Sequence, residues 1–229
     1  IEASREHAIA FINYQEEGII PVYILGLRDN ENLLLDDENN WKYRYIPAFV
    51  RRYPYIMIEP NEDGNSVVCI DADYEGINHP DGELIFTQKD GEIKPTPQLE
   101  AAMDMLKDFN AQLTRTREFT KRLEEFDLLK EISPQINLAD GREFSIGGIY
   151  TIDEEKLLKL DDEKALTLYR SGEMAWIYNH LASISNLLQL ANFIPADAKG
   201  TPKKTKAVKK KKVAKKVAKK TSKSKDTLH

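Results

Sequence analysis

The lysines of this chain are gathered at one end, and that limits which part of it can fold. Residues 199–229 hold fourteen of the 33 basic residues and only one of the 38 acidic ones, Asp226, so this stretch carries +13 while residues 1–198 carry −18. A segment dominated by Lys, with single Val and Ala residues between the lysines, cannot bury enough apolar surface to offset the entropy lost on ordering. The expected organisation is one acidic folded domain over residues 1–198 and a disordered Lys-rich tail over 199–229.

A body of that length can enclose a core without disulfides or a structural metal. Cys69 is the one cysteine and lies in the apolar run Val67–Ile70, so no intramolecular bridge is available. The most apolar long stretch, Ile177–Ile194, is interrupted by Asn179, His180, Asn186 and Gln189. It falls short of the roughly 20 apolar residues that a membrane helix needs, so no transmembrane segment is expected. The chain begins at Ile1, which leaves the presence of a leader peptide open.

Hydrophobic periodicity predicts an α+β fold. Ala8–Tyr14 and Ile19–Leu27 read as a hairpin, and Leu33–Leu35 with Trp41–Ile46 reads as a second strand pair across Asp36–Asn40. Pro47 and Pro54 bracket a helical turn or loop. Tyr55–Glu59 and Ser66–Asp71 read as another hairpin, turning near Gly64. Residues 74–95 read as a long loop with one strand at Leu84–Thr87. Thr96 and Pro97 then open a helix of about thirty residues, on which Leu99, Met103, Leu106, Phe109, Leu113, Phe119, Leu123 and Phe126 form one stripe. Asp140-Gly141 predicts a hairpin joining Ile136–Leu138 to Glu143–Ile146. Asp153 and Asp161 are placed to cap short helices. A last helix opens at Ser171, with Met174, Ile177, Tyr178, Leu181, Ile184, Leu188 and Ala191 as its apolar face. Strands first and helices later, without repeated alternation, predict antiparallel N-terminal strands packed on a long helix, followed by a second hairpin and a helical C-terminal segment.

Several long segments resemble the SapC family of bacterial proteins. They are LGLRDNENLLLDDENNWKYRYIPAFVRRYPYIM (25–57), RTREFTKRLEEFDLL (115–129), GGIYTIDEEKLLKL (147–160) and LYRSGEMAWIYNHLASISNL (168–187), in the family's order. The likeness extends over about residues 5–194. It implies an envelope or S-layer-associated protein whose partners are envelope or S-layer components; it brings no reaction and no catalytic residues. It places the chain at the cell surface or envelope, while the residues themselves are equally compatible with the cytoplasm. A permease subunit that shares the name needs several membrane spans and does not fit.

The remaining candidates come from residue chemistry. Arg28, Arg51 and Arg52 offer bidentate hydrogen bonds to a carboxylate or other anion, and with Trp41, Tyr43, Tyr45 and Tyr53 they form a candidate pocket for sugar or peptide. The alternatives are arginines paired with Asp29, Asp36 or Glu59, and aromatics on a half-buried sheet face. Asp71, Asp73 and Glu75, followed by Gly76, resemble the start of a calcium loop, although position twelve is Gly82. Solvated acids after a strand are the simpler reading. His180 shares a helix face with Trp176 and Ser183, but no oxyanion turn accompanies it. No dinucleotide, P-loop, H-E-x-x-H or paired-cysteine motif occurs, so no cofactor is expected beyond calcium. Lys209, Lys210, Lys211, Lys212, Lys215 and Lys216 suit sequence-independent binding of an anionic polymer such as DNA or lipopolysaccharide. The functional expectation is a non-enzymatic envelope or S-layer protein. The alternatives are an enzyme or accessory factor acting on surface proteins or glycans, and non-specific nucleic-acid association through the tail.

Overall fold

The computed structural model describes residues 1–15, 17–58, 66–89 and 91–195. The tail lysines 209–212, 215 and 216, and the turn near Gly64, lie outside the described residues. The architecture is α+β, built on antiparallel strands.

The first hairpin forms as expected. Strands β1 (Ile9–Asn13) and β2 (Ile19–Tyr23) pair from Ile9↔Tyr23 to Asn13↔Ile19. They are joined by a tight turn in which Gln15 (φ 38°) and Gly18 (φ 74°) both have positive φ. Two strands that the periodicity does not predict complete the central sheet, β7 (Leu129–Ile132) and β10 (Ile149–Ile152), giving the order β2-β1-β10-β7. Leu129–Ile132 is only four residues long, and Ile149–Ile152 follows two glycines that read as a strand end. Their strand character comes from the partners they meet: Phe11 lies opposite Tyr150, and Ile152 opposite Leu129.

Residues 33–46 do not form the expected strand pair. A single bridge, Leu35↔Trp41, remains. Asp36 Oδ1 accepts from the backbone N–H groups of Glu38 (2.9 Å) and Asn40 (2.7 Å), closing the turn. Beyond it, Tyr45 N–H donates to Glu6 Oε2 at 2.8 Å. Side chains thus take the backbone bonds that a neighbouring strand would otherwise take.

Helix α1 (Ala48–Arg51) occupies the short segment between the two prolines. Hairpin β3 (Tyr55–Ile58) with β4 (Val67–Ile70) follows as expected, and a second hairpin, β5 (Phe86–Lys89) with β6 (Glu92–Pro95), replaces the last part of the expected loop and its single strand at Leu84–Thr87. Gly91, at φ 82°, supplies a left-handed turn conformation that a side chain would resist.

Helix α2 (Pro97–Glu125) spans 29 residues, and every residue of the predicted stripe, with Phe126 just past the helix end, is buried or half-buried. Thr96 does not cap it through its side chain. Its hydroxyl donates instead to Leu84 O at 2.9 Å, tying the helix start to the strand region before it. Hairpin β8 (Gln135–Asn137) with β9 (Glu143–Ser145) forms around Gly141 (φ 85°). Helices α3 (Glu154–Leu157) and α4 (Asp162–Arg170) are capped by Asp153 and Asp161, whose carboxylates accept first-turn backbone N–H bonds.

The last helix breaks in two. Helix α5 (Glu173–Ser183) gives way to a 3₁₀ turn at Ile184–Asn186 before α6 (Leu187–Leu190). The tighter turn rotates the buried face, so Leu187 and Leu190 face inward and Leu188 is 64% exposed. Tyr178, expected on the apolar face, lies outside the buried one, and Glu173, His180 and Ser183 are buried instead.

Two hydrophobic clusters hold these elements. Phe11, Phe119, Leu123, Ile152, Leu168 and Ile177 join the central sheet to α2, α4 and α5. Leu27, Leu34, Ile136, Phe144, Leu187 and Leu190 join the loop after β2 to the β8–β9 hairpin and α6.

Candidate functional site

The residues expected to form one pocket come together only in part: Arg51, Trp41, Tyr43 and Tyr45 adjoin one another, while Arg28, Arg52 and Tyr53 have other partners. Arg28 is ion-paired with Glu31, two residues beyond the expected Asp29. Arg51 donates through Nε to Ile46 O at 3.0 Å and lies 5.9 Å from the Tyr45 ring centroid. Arg52 stacks 4.2 Å from the Phe49 ring and 4.9 Å from that of Phe109 on α2. Trp41, Tyr43 and Tyr45 do come together, around buried His7, with ring centroids 5.3 to 6.1 Å from its imidazole. Tyr45 O accepts from the Trp41 indole N–H at 3.0 Å and lies 2.9 Å from His7 Nε2. Tyr23 completes the group, its hydroxyl pKa pushed up to about 12 by burial and then by Tyr45. Tyr53 stands apart, edge-on to Tyr74 at 5.5 Å.

Asp71, Asp73 and Glu75 are all exposed. Asp71 Oδ1 accepts from Asp73 N–H at 3.0 Å in a local turn, and no group of three or more potential metal-binding side chains occurs among the described residues. His180 sits in the core. Its Nε2 accepts from Ile152 N–H at 3.3 Å and is 2.9 Å from Thr151 Oγ1, and burial pulls its pKa down to about 4, which keeps the ring neutral. The Ser183 hydroxyl donates to the His180 carbonyl at 2.7 Å and accepts from Ile9 N–H at 3.2 Å, so it serves the backbone rather than the imidazole.

Two other features have more capacity to bind. The first is the arm formed by α1 and the two hairpins. Of the described residues between Ala48 and Gln98, none is buried. Directly opposed residues of an antiparallel pair share a face, which places Ile56, Cys69, Ile58 and Val67 on one face of the β3–β4 hairpin and Tyr55, Ile70, Met57 and Val68 on the other. Ile58 and Val67 are each 52% exposed and Ile56 is 46% exposed. A hairpin apolar on both faces has the composition of a covered strand pair. Exposed Asp71, Asp73, Glu75 and Asp81 follow it directly in the chain.

The second feature is an open cleft of about 140 Å³ lined by Arg115, Glu118, Arg122, Ser171, Glu173 and Trp176. The first three recur at i, i+3 and i+7 and so share a face of α2. Gly172, at φ 79°, turns the chain between α4 and α5 and delivers Glu173 as the first residue of α5. Arg122 Nη1 is ion-paired with Glu173 Oε1, while the other oxygen, Oε2, is buried without a hydrogen-bond partner among the described residues. The Arg115 guanidinium lies 5.1 Å from the Trp176 ring, and Trp176 packs edge-on against Phe119 at 5.3 Å. Sequence periodicity assigns Arg115, Glu118 and Arg122 to a solvated face. The available signal is the Ser-Gly-Glu turn ahead of a Trp-bearing helix, and only the fold brings it to those arginines.

A search of curated proteins and a search of solved structures each returned no match. A scan against family models matched the SapC model over residues 1–190, which spans both clusters, the arm and the cleft. This chain belongs to the SapC family.

Proposed function

We propose that this protein is a non-enzymatic component of the bacterial cell envelope or surface layer and that it works by docking. The occupant is an envelope or surface-layer protein whose apolar contact surface is flanked by basic residues. One observation carries this reading: an arm of some fifty residues has no buried residue among those described, yet presents Ile56, Ile58, Val67 and Ile70 on its β3–β4 hairpin. Contiguous exposed apolar surface is uncommon on monomeric proteins and marks interaction sites, and an isolated hairpin is marginally stable in water. A partner that covers the hairpin removes both costs. The acids that follow β4 select a partner of positive charge and speed its approach. Family membership supports the envelope assignment, and the inward-facing roles of His180 and Ser183 fit a protein that binds rather than one that uses this pair for nucleophilic chemistry.

The test is cosedimentation of the purified chain with envelope fragments and with reassembled surface-layer sheets. The full chain and a chain lacking residues 199–229 are expected to pellet, while the double variant Ile56→Ser/Ile58→Ser stays in the supernatant with an unchanged circular dichroism spectrum. Failure of the full chain to pellet would overturn the reading. So would equal pelleting of the double variant, or loss of binding on tail removal alone, which would transfer the role to the basic tail.

A further inference from the structure

We infer that the cleft between α2 and the start of α5 is a binding site for a small zwitterion, a free α-amino acid with a short side chain. This rests on side chains outside the arm and stands whether or not the arm docks a partner.

The four ionisable groups of the cleft, Arg115, Arg122, Glu118 and Glu173, sum to zero formal charge, yet their hydrogen-bonding capacity is only partly used. Arg122 engages Glu173 Oε1 through one guanidinium nitrogen. Arg115 donates through Nη1 to Gln112 Oε1 at 3.2 Å while its plane lies over Trp176. Each arginine carries five N–H donors, so both keep donors for a ligand carboxylate. One accessible acceptor complements them: Glu118 is exposed and has no hydrogen-bond or ion-pair partner among the described residues. Glu173, only 5% exposed, is held by Arg122 and its second oxygen is buried, so it adds negative charge to the cleft wall without offering a ligand contact.

The pattern discriminates among ligand charges. A simple anion would satisfy the guanidinium groups but face two carboxylates; a simple cation would satisfy the carboxylates but face two guanidinium groups. A molecule with a carboxylate and an ammonium on one carbon answers both, its carboxylate accepting from Arg115 and Arg122 and its ammonium donating to Glu118. Size agrees. A cleft of about 140 Å³ displaces four or five waters at about 30 Å³ each, which is room for the carboxylate and ammonium ends of glycine or alanine.

Titration of the full chain with glycine and alanine, followed by calorimetry and Trp176 fluorescence, tests the site. Glycine or alanine is expected to bind at least about tenfold more tightly than acetate or methylammonium, each of which supplies half of the recognition. Glu118→Gln and Arg115→Lys, both at exposed positions, are each expected to weaken binding about tenfold or more, with the melting temperature unchanged for Glu118→Gln. Absence of amino-acid binding would overturn the site. Acetate binding as well as glycine would show a plain anion site, and undiminished binding by Glu118→Gln would remove the ammonium contact; either result overturns the zwitterion assignment.

Discussion

Strands β1 and β4 are built from similar apolar residues and end in opposite environments. In β1, Ala10 is 0% and Phe11 1% exposed; in the β3–β4 hairpin, Ile58 and Val67 are 52% exposed. The difference lies in neighbours. β1 has strands on both sides, and Phe11 meets Phe119 of α2 and His180 of α5 at 6.5 and 4.8 Å. The β3–β4 hairpin forms its own two-stranded sheet and leaves one apolar face open. A strand's burial is therefore set by what the rest of the chain can bring to it. Where that supply ends, the apolar surface stays exposed.

Five measurements can break or sharpen this contrast, and the largest effect is expected at its buried end. Phe11→Ala should destabilise the fold by about 3–5 kcal/mol in urea unfolding, through lost burial and a residual cavity. A loss below about 1 kcal/mol would show that β1 is not the centre of the core.

Next comes acid. The unfolded chain takes up a proton at His180 near pH 6.5, the folded chain near pH 4, so between these values the unfolded state holds more protons and stability falls as pH drops. The shift corresponds to roughly 3 kcal/mol lost by pH 4. A His180→Gln variant should lack this component of the pH dependence, and an identical acid profile in both proteins would place the titration elsewhere.

Asp161→Ala removes the acceptor for Lys164 N–H at the start of α4 and should cost about 1 kcal/mol. The smallest effect belongs to the arm: Ile58→Ser should change global stability by about 0.5 kcal/mol or less. Hydrogen exchange should agree, with β1 and β10 amides protected to the level of global unfolding and β3–β6 amides opening at lower cost. Equal protection in both regions would erase the distinction.

Features readable from the sequence have local causes. The β1–β2 hairpin, the Asp140-Gly141 turn and the capping carboxylates of Asp153 and Asp161 depend on residues close together in the chain. The α2 stripe needs only a helix with one covered face. Features the sequence concealed depend on distant partners. Ile149–Ile152 becomes a sheet strand because Phe11 and Glu131 lie beside Tyr150. Trp41, Tyr43 and Tyr45 were legible as a group, yet they gather around His7 instead of lining a strand, since Glu6 and His7 are placed to satisfy the Tyr45 backbone. The register of α6 was hidden by a 3₁₀ turn with no distinctive residue pattern. The candidate cleft was illegible for a further reason: Arg115 and Arg122 read as solvated charges until α5 places Trp176 against the first and Glu173 against the second.

The sequence by itself determined the α+β class, the segregation of charge between residues 1–198 and 199–229, and the family, because composition, periodicity and long motifs are properties of the chain alone. Tertiary structure alone decided which apolar strands are covered, which charges meet across some fifty residues, and hence where a ligand or partner can bind. Burial and ion pairing are relations between distant segments, and the free energy of either exists only once the fold has brought both members to one place.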